Sequence, residues 1–196
     1  MSVNIHPTAI VSDGASLGTD VTIGPYCTVG THVTIGDRVT LHSHVVIDGH
    51  TSLGAGGEVF PFAVLGCPPQ HTRYAGEEST LEIGTDCVIR EHVTMHPGTA
   101  IDSMRTRVGN NGLFLVASHI AHDCVIGEGA MIGGQAGIGP STRVGKGAVV
   151  MAQSGVTKDV EDGATVAGFP ASDAREMWRE RAALRRLLAK SGRKDN

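Results

Sequence analysis

Aromatic residues are scarce in this chain of 196 residues: four Phe, two Tyr and one Trp, 4% in all. That excludes an interior of stacked rings, because too few large side chains exist to fill one. Cysteine is sparse as well, and Cys27, Cys67, Cys87 and Cys124 show no CxxC or other metal-ligand spacing. Neither a disulfide framework nor a zinc ribbon is expected, and a reduced, cytoplasmic protein is. No apolar run approaches the roughly 18–20 residues of a membrane span, and no signal peptide begins the chain, so no transmembrane segment is expected. The body also lacks positive charge. The net charge is −4, yet eight of the 16 Lys and Arg residues fall from Arg175 onward. An acidic body argues against nucleic acid as its partner, and a basic end argues for an acidic protein partner.

What the chain has in quantity is glycine, 27 residues of it, and a period. Large aliphatic residues recur every six positions from Ile5 through Val11, Leu17, Ile23 and onward to Leu65. The series resumes at Ile83, Ile89 and Met95, slips in phase, and runs again from Val108 to Val156. Four residues after each comes a small or β-branched residue, as at Ala9, Ala15, Val21, Cys27 and Val33. A period of six keeps no helical face apolar, whereas six residues suit one flat side of a three-sided coil. Both marked positions point inward, the next residues turn the corner, and about eighteen residues complete a coil that stacks on the next. The expected fold class is therefore all-β: a left-handed parallel β-helix of hexapeptide repeats, about eight coils high, with a short C-terminal α-helix. The repeat defines the fold and carries no activity.

Two stretches break the rhythm, about 66–80 and 99–107, and a regular solenoid has no use for such loops unless they carry function. The β-helix domain is assigned to 1–171. Over 172–196 the pattern turns helical and basic, with Ser172 or Asp173 as N-cap and Ala174, Met177, Trp178, Ala182, Leu184, Leu187 and Leu188 on one face. Its charges are either a solvated surface or a dock for an acidic protein.

Chemistry is signalled by the ten histidines, none of which falls on an inward hexad position. Most exposed histidines are inert, but His119 and His122 sit close together in an apolar setting, Ala117-Ser118-His119-Ile120-Ala121-His122-Asp123-Cys124. An imidazole there suits the removal of a proton from a hydroxyl or amine. Asp123 follows His122 directly. Neighbours on a strand tend to point apart, so the sequence leaves open whether Asp123 orients the imidazole.

Residues 5–130 closely resemble the UDP-N-acetylglucosamine O-acyltransferases that begin lipid A synthesis. The resemblance rests on Ile5-His6-Pro7-Thr8-Ala9-Ile10-Val11, Ser43-His44-Val45-Val46-Ile47-Asp48-Gly49-His50-Thr51, Tyr74-Ala75-Gly76-Glu77 and His119-Ile120-Ala121-His122-Asp123-Cys124. It implies a homotrimer with imidazoles lining the cleft between subunits, acyl carrier protein as co-substrate, a UDP-sugar acceptor and no bound cofactor or metal. It implies His122 as general base, His119 as a substrate-site imidazole, and Gln70, His71 and Arg73 on the loop that meets the nucleotide sugar, with Gln135 a further substrate contact. Ile132-Gly133-Gly134-Gln135-Ala136-Gly137-Ile138, Ala152-Gln153-Ser154-Gly155-Val156-Thr157-Lys158-Asp159-Val160 and Ala167-Gly168-Phe169-Pro170-Ala171 look instead like the sister N-acyltransferases of the same pathway. The chain departs from the O-acyltransferase pattern in three places. His71 stands where that family has Asp, Arg73 replaces Lys while keeping a cation, and Pro140 stands where a glycine N–H stabilises the oxyanion.

The implied mechanism is direct displacement without a covalent enzyme intermediate. His122 takes a proton from the sugar's 3-position nucleophile as that atom attacks the carrier-bound thioester. Arg179, Arg185 and Arg186 are candidates to grip the carrier, and Met151 and Ala152 to close the far end of the acyl groove. With His71 in the loop, a 3-amino acceptor is an alternative to a 3-hydroxyl. Other classes fit less well. A zinc hydratase of the same fold would recruit imidazoles such as His92, His96, His119 and His122. A short-chain acetyltransferase using coenzyme A has endings resembling Gly168-Phe169-Pro170-Ala171, and a scaffold without activity finds its one hint in Pro140.

Overall fold

The structure is a computed structural model describing residues 2–191, with Lys190 and Ser191 described by their backbone only. Two-residue strands follow one another along the chain and stack into three sheets of ten, eight and seven strands. The first face begins at Asn4–Ile5, the second at Ile10–Val11 and the third at Ser16–Leu17. Each strand pairs in parallel with the one a full coil later, so Ile5 lies under Ile23 and Val11 under Val29, eighteen residues on. This is the left-handed parallel β-helix the repeat predicts.

The hexad explains the interior. The second residue of almost every strand is buried, as with Ile23, Leu41, Leu65, Ile89, Ile120 and Ile138, each 1% exposed or less. The small residue four places on is buried too, including Cys27 and Cys124. The exceptions lie at the open lower end, where Val3 and Ile5 are 44% and 42% exposed because no coil lies beneath them. One aromatic side chain, Phe114, is accommodated inside, and the preceding inward position is Gly112. A Cβ there would lie 2.7 Å from the Phe114 ring, so the pair conserves the volume of an ordinary Val–Leu rung.

Both breaks in the rhythm leave at the same corner, between the second and third faces, on consecutive coils. Leu65 pairs with Met95 and Met95 with Ile120, offsets of 30 and 25 where the regular coil has 18. The first excursion runs from Gly66 to Ser79. The second occupies 96–104, three residues earlier than the 99–107 expected from sequence, because Arg105–Val108 already forms a strand of the third face. The next two turns at this corner are His122-Asp123 and Pro140-Ser141, so the loops lie immediately below the candidate imidazoles.

At the top, Thr165–Ala167 is the last parallel rung, and Ser172–Asp173 folds back against it. The helix Ala174–Ser191 then begins, with Asp173 Oδ1 accepting from the Glu176 amide at 3.0 Å as its N-cap. Only its first turn is seated: Ala174 and Met177 are buried, whereas Trp178, Leu184, Leu187 and Leu188 are 52–64% exposed. The predicted apolar face is thus presented outward. The basic residues Arg193 and Lys194 lie outside the described residues. No helix among the described residues is long and apolar enough to cross a membrane.

Candidate active site

The site grows out of one turn. His122 and Asp123 are the two corner residues between His119–Ile120 on the second face and Val125–Ile126 on the third. Asp123 has φ +60°, the left-handed conformation. That decides what the sequence left open for this residue. On a turn, unlike a strand, adjacent side chains can converge, and His122 Nδ1 lies 2.8 Å from Asp123 Oδ2. The signal was available in the sequence, since the hexad phase puts position 123 at a corner.

Asp123 is buried and crowded with donors. The Thr99 amide and hydroxyl donate to it at 3.0 and 2.7 Å, and the Ser103 amide and hydroxyl each at 3.1 Å. Burial pushes the carboxyl up, but the hydrogen bonds from Thr99, His122 and Ser103 outweigh it and leave the group below the usual carboxylate range. An ionised carboxylate only accepts, so the hydrogen of neutral His122 sits on Nδ1 and Nε2 carries the lone pair. The same carboxylate anchors the second excursion loop to the His122-Asp123 turn.

The two loops are fastened to each other by Glu77, whose carboxylate accepts from the amides of Ala75 at 2.8 Å and Ala100 at 2.9 Å. These bonds hold its pKa below the ordinary value, the Ala100 amide most of all. The first loop then folds back so that the His71 ring meets His122 edge-on, centroids 5.1 Å apart. From sequence Glu77 entered only as the end of the Tyr74–Glu77 segment and Thr99 and Ser103 not at all, because no local pattern reveals which groups the two loops share.

His119 projects outward from the second face, half-buried. Its Nδ1 lies 2.7 Å from the Thr94 hydroxyl one coil below, and His96 packs against its ring at 5.4 Å. Burial holds its pKa below the ordinary value, reinforced by His96 and His122 nearby. Above it, the outward positions of the same face are Gly137 and Gly155. Two missing side chains leave an apolar groove of about 480 Å³ that starts at His119, runs up between Gly139 and Gln135, and ends beneath Phe169. A Cβ on Gly137 would meet nothing within 4 Å, whereas one on Gly155 would overlap the Phe169 ring.

The other predicted residues divide. Gln135 lies on the groove's edge, its carbonyl accepting from Gln153 Nε2 at 3.0 Å. Gln70 and Arg73 are exposed on the first loop beside His71. Met151 and Ala152 do not border the groove; they border a separate hollow with Met177 and Trp178 under the helix. Arg179, Arg185 and Arg186 are exposed on that helix, and Arg181 stacks over Trp178 at 5.6 Å. His92 stands at another corner, stacked on Phe62 at 5.0 Å, so it does not join His96, His119 and His122. Among the described residues no set of three or more His, Cys, Asp or Glu side chains converges on a metal-sized site. Cys124, inside the coil at this level, is pushed up to about 11 by burial and stays a thiol.

Short parallel rungs on a six-residue period place the chain in the hexapeptide-repeat class, and the bacterial transferase hexapeptide family (six repeats) matches residues 14–49. Among curated relatives, an acyl-[acyl-carrier-protein]–UDP-N-acetylglucosamine O-acyltransferase of Verminephrobacter eiseniae is 47% identical over 175 residues, 89% of this chain and 67% of that protein. That of Azorhizobium caulinodans is 49% identical over 124 residues, 63% of this chain. Among solved structures, LpxA from Acinetobacter baumannii superposes with a TM-score of 0.77 at 38% identity, covering 90% of this chain and 77% of that one. The chain belongs to the UDP-N-acetylglucosamine O-acyltransferase family. Its match spans less than half of the Azorhizobium and Mesorhizobium japonicum relatives, 46% and 45% of their lengths.

Proposed function

We propose that this chain transfers a 3-hydroxyacyl group from acyl carrier protein to the 3-position of a UDP-linked N-acetylglucosamine-type sugar, the reaction that opens lipid A synthesis. The observation that carries the reading is the His122–Asp123 pair, 2.8 Å apart, one residue beyond the Ala121 edge of a groove whose lining is mostly apolar. His122 Nε2 takes the proton of the acceptor as it attacks the thioester carbonyl, and Asp123 stabilises the imidazolium that forms. The groove above His119 receives the acyl chain, and Gln70, His71 and Arg73 lie on the loop that meets the nucleotide sugar. No cofactor is required, since the thioester itself is the activated donor. Exposed imidazoles and an open groove fit a homotrimer in which a neighbouring prism covers the cleft, and the reaction belongs in the cytoplasm, where the carrier protein works.

The test is transfer from hydroxyacyl carrier protein to UDP-N-acetylglucosamine by the purified chain. His122→Ala is expected to lower kcat by about 10²–10⁴-fold with the assembly intact by sedimentation. Retained turnover would remove His122 from the role. A 3-amino acceptor is the second reading, favoured by His71, whose ring contacts His122 at 5.1 Å where the acceptor must enter. Competition between the hydroxyl and amino sugars for one donor separates the two.

A further inference from the structure

Attack on a thioester carbonyl moves a pair of electrons onto the carbonyl oxygen, and a donor must face that oxygen in a site that excludes water. In this fold the natural donor is the amide of the first residue in each corner turn, which lies outside the rungs. Three such amides show where they point, each donating to a side chain of the coil above: Thr19 to Asp37 at 2.7 Å, Thr85 to Asn110 at 2.9 Å and Lys146 to Asp162 at 2.8 Å. Directly above His122 the equivalent residue is Pro140, which has no N–H. Its neighbours cannot substitute. The amides of Gly137, Gly139 and Ser141 donate to Ser154 O at 2.9 Å, Val156 O at 2.8 Å and His122 O at 3.0 Å. None of these three amides is free to face the carbonyl oxygen.

One polar side chain stands at the foot of the groove, on the coil of His122. His119 lies on the same coil as His122 and forms the lower end of the groove. Gln135 is one coil higher at the opposite corner of the second face, and Thr157 is two coils higher. With Nδ1 turned down to Thr94, Nε2 of His119 faces away from it, toward the groove. The partner on Nδ1 is a hydroxyl, which rotates to donate or accept, unlike the carboxylate that fixes the His122 tautomer.

We propose that His119 is the oxyanion donor of this enzyme, its neutral Nε2–H replacing the backbone amide that Pro140 removes. The inference rests on the acyl-transfer reading above. The acceptor oxygen bonds to the thioester carbon while His122 takes its proton. The carbonyl π pair moves onto oxygen and is held by His119. The pair then returns, the C–S bond breaks, and the thiolate leaves with the proton from His122, giving ester and carrier thiol. Burial in the groove wall keeps His119 neutral over the physiological range, so it serves as donor and not as a second base.

The experiment is a four-enzyme cycle of wild type, His119→Ala, Pro140→Gly and the double variant, assayed for kcat and for KM of the UDP-sugar. His119→Ala is expected to lower kcat by about 10²-fold with KM nearly unchanged, since the bond forms only in the transition state. In that background Pro140→Gly restores an amide and recovers about tenfold or more, a larger gain than the same change gives in the wild type. His119→Gln keeps an N–H and retains part of the rate, and it supplies the comparison if the alanine variant fails to fold. Equal effects of Pro140→Gly in both backgrounds, or a His119 effect confined to KM, would overturn the proposal while leaving the reaction class standing. Absence of transfer in the wild type would overturn both.

Discussion

Asp123 sits where catalysis and loop structure meet, so a single substitution there should be felt twice. Asp123→Asn keeps the shape but presents an amide NH2 to groups that are themselves donors. A loss of about 2 kcal/mol or more is expected from the charge-assisted bonds to Thr99 and Ser103. Turnover should fall by on the order of 10²-fold or more, because His122 is no longer held in the tautomer with a free Nε2. The pH dependence has a definite sign. The folded carboxyl titrates below its unfolded value of about 3.9, so the unfolded chain takes up the proton first on acidification. The contribution is complete above about pH 5 and is lost as pH falls through the folded value. Urea midpoints between pH 6 and 3 should decline steeply for wild type and more gently for the variant. Equal slopes would show that Asp123 is not ionised in the fold.

At the scale of elements, the second face owes its groove to what it omits. Its outward positions hold Thr94 and His119 below but Gly137 and Gly155 above, and the exposed ring of Phe169 closes the upper end. Gly137→Leu should fold normally, since its Cβ meets open space, yet should abolish transfer of long chains by filling the floor. Phe169→Ala should shift preference toward longer donors. The measurement is relative kcat/KM across carriers loaded with acyl groups of different lengths, and an unchanged ranking in both variants would place the acyl chain elsewhere. Met151 and Ala152 lie outside the groove, so enlarging them has no comparable expected effect.

The whole molecule separates charge from chemistry. The acidic prism carries the imidazoles, while the helix at its upper end projects Arg179, Arg185 and Arg186 into solvent. An acidic carrier approaching that end would be steered by charge more than held by it. Reversing all three to Glu should raise KM for the carrier protein several-fold at low salt, with kcat for bound donor nearly unchanged. The difference should shrink above about 0.15 M ionic strength as screening sets in. If the reversal leaves KM untouched at every salt concentration, the helix is not the dock, and its exposed Leu184, Leu187 and Leu188 call for a different partner.

The sequence by itself determined the prism, because a six-residue period acts locally: each aliphatic and small residue meets its own interior position in every coil, so counting is enough to locate Ile23, Cys27 or Ile138. It also picked out His119 and His122 by their positions on that count. Tertiary structure alone decided how these imidazoles are tuned. The partners of Asp123 come from Thr99 and Ser103, those of His119 from Thr94, and the link between the loops from Glu77, all between 20 and 25 residues away. Loops of irregular length have no period to count, so which donors they bring to a buried carboxylate is settled only when the coils are stacked.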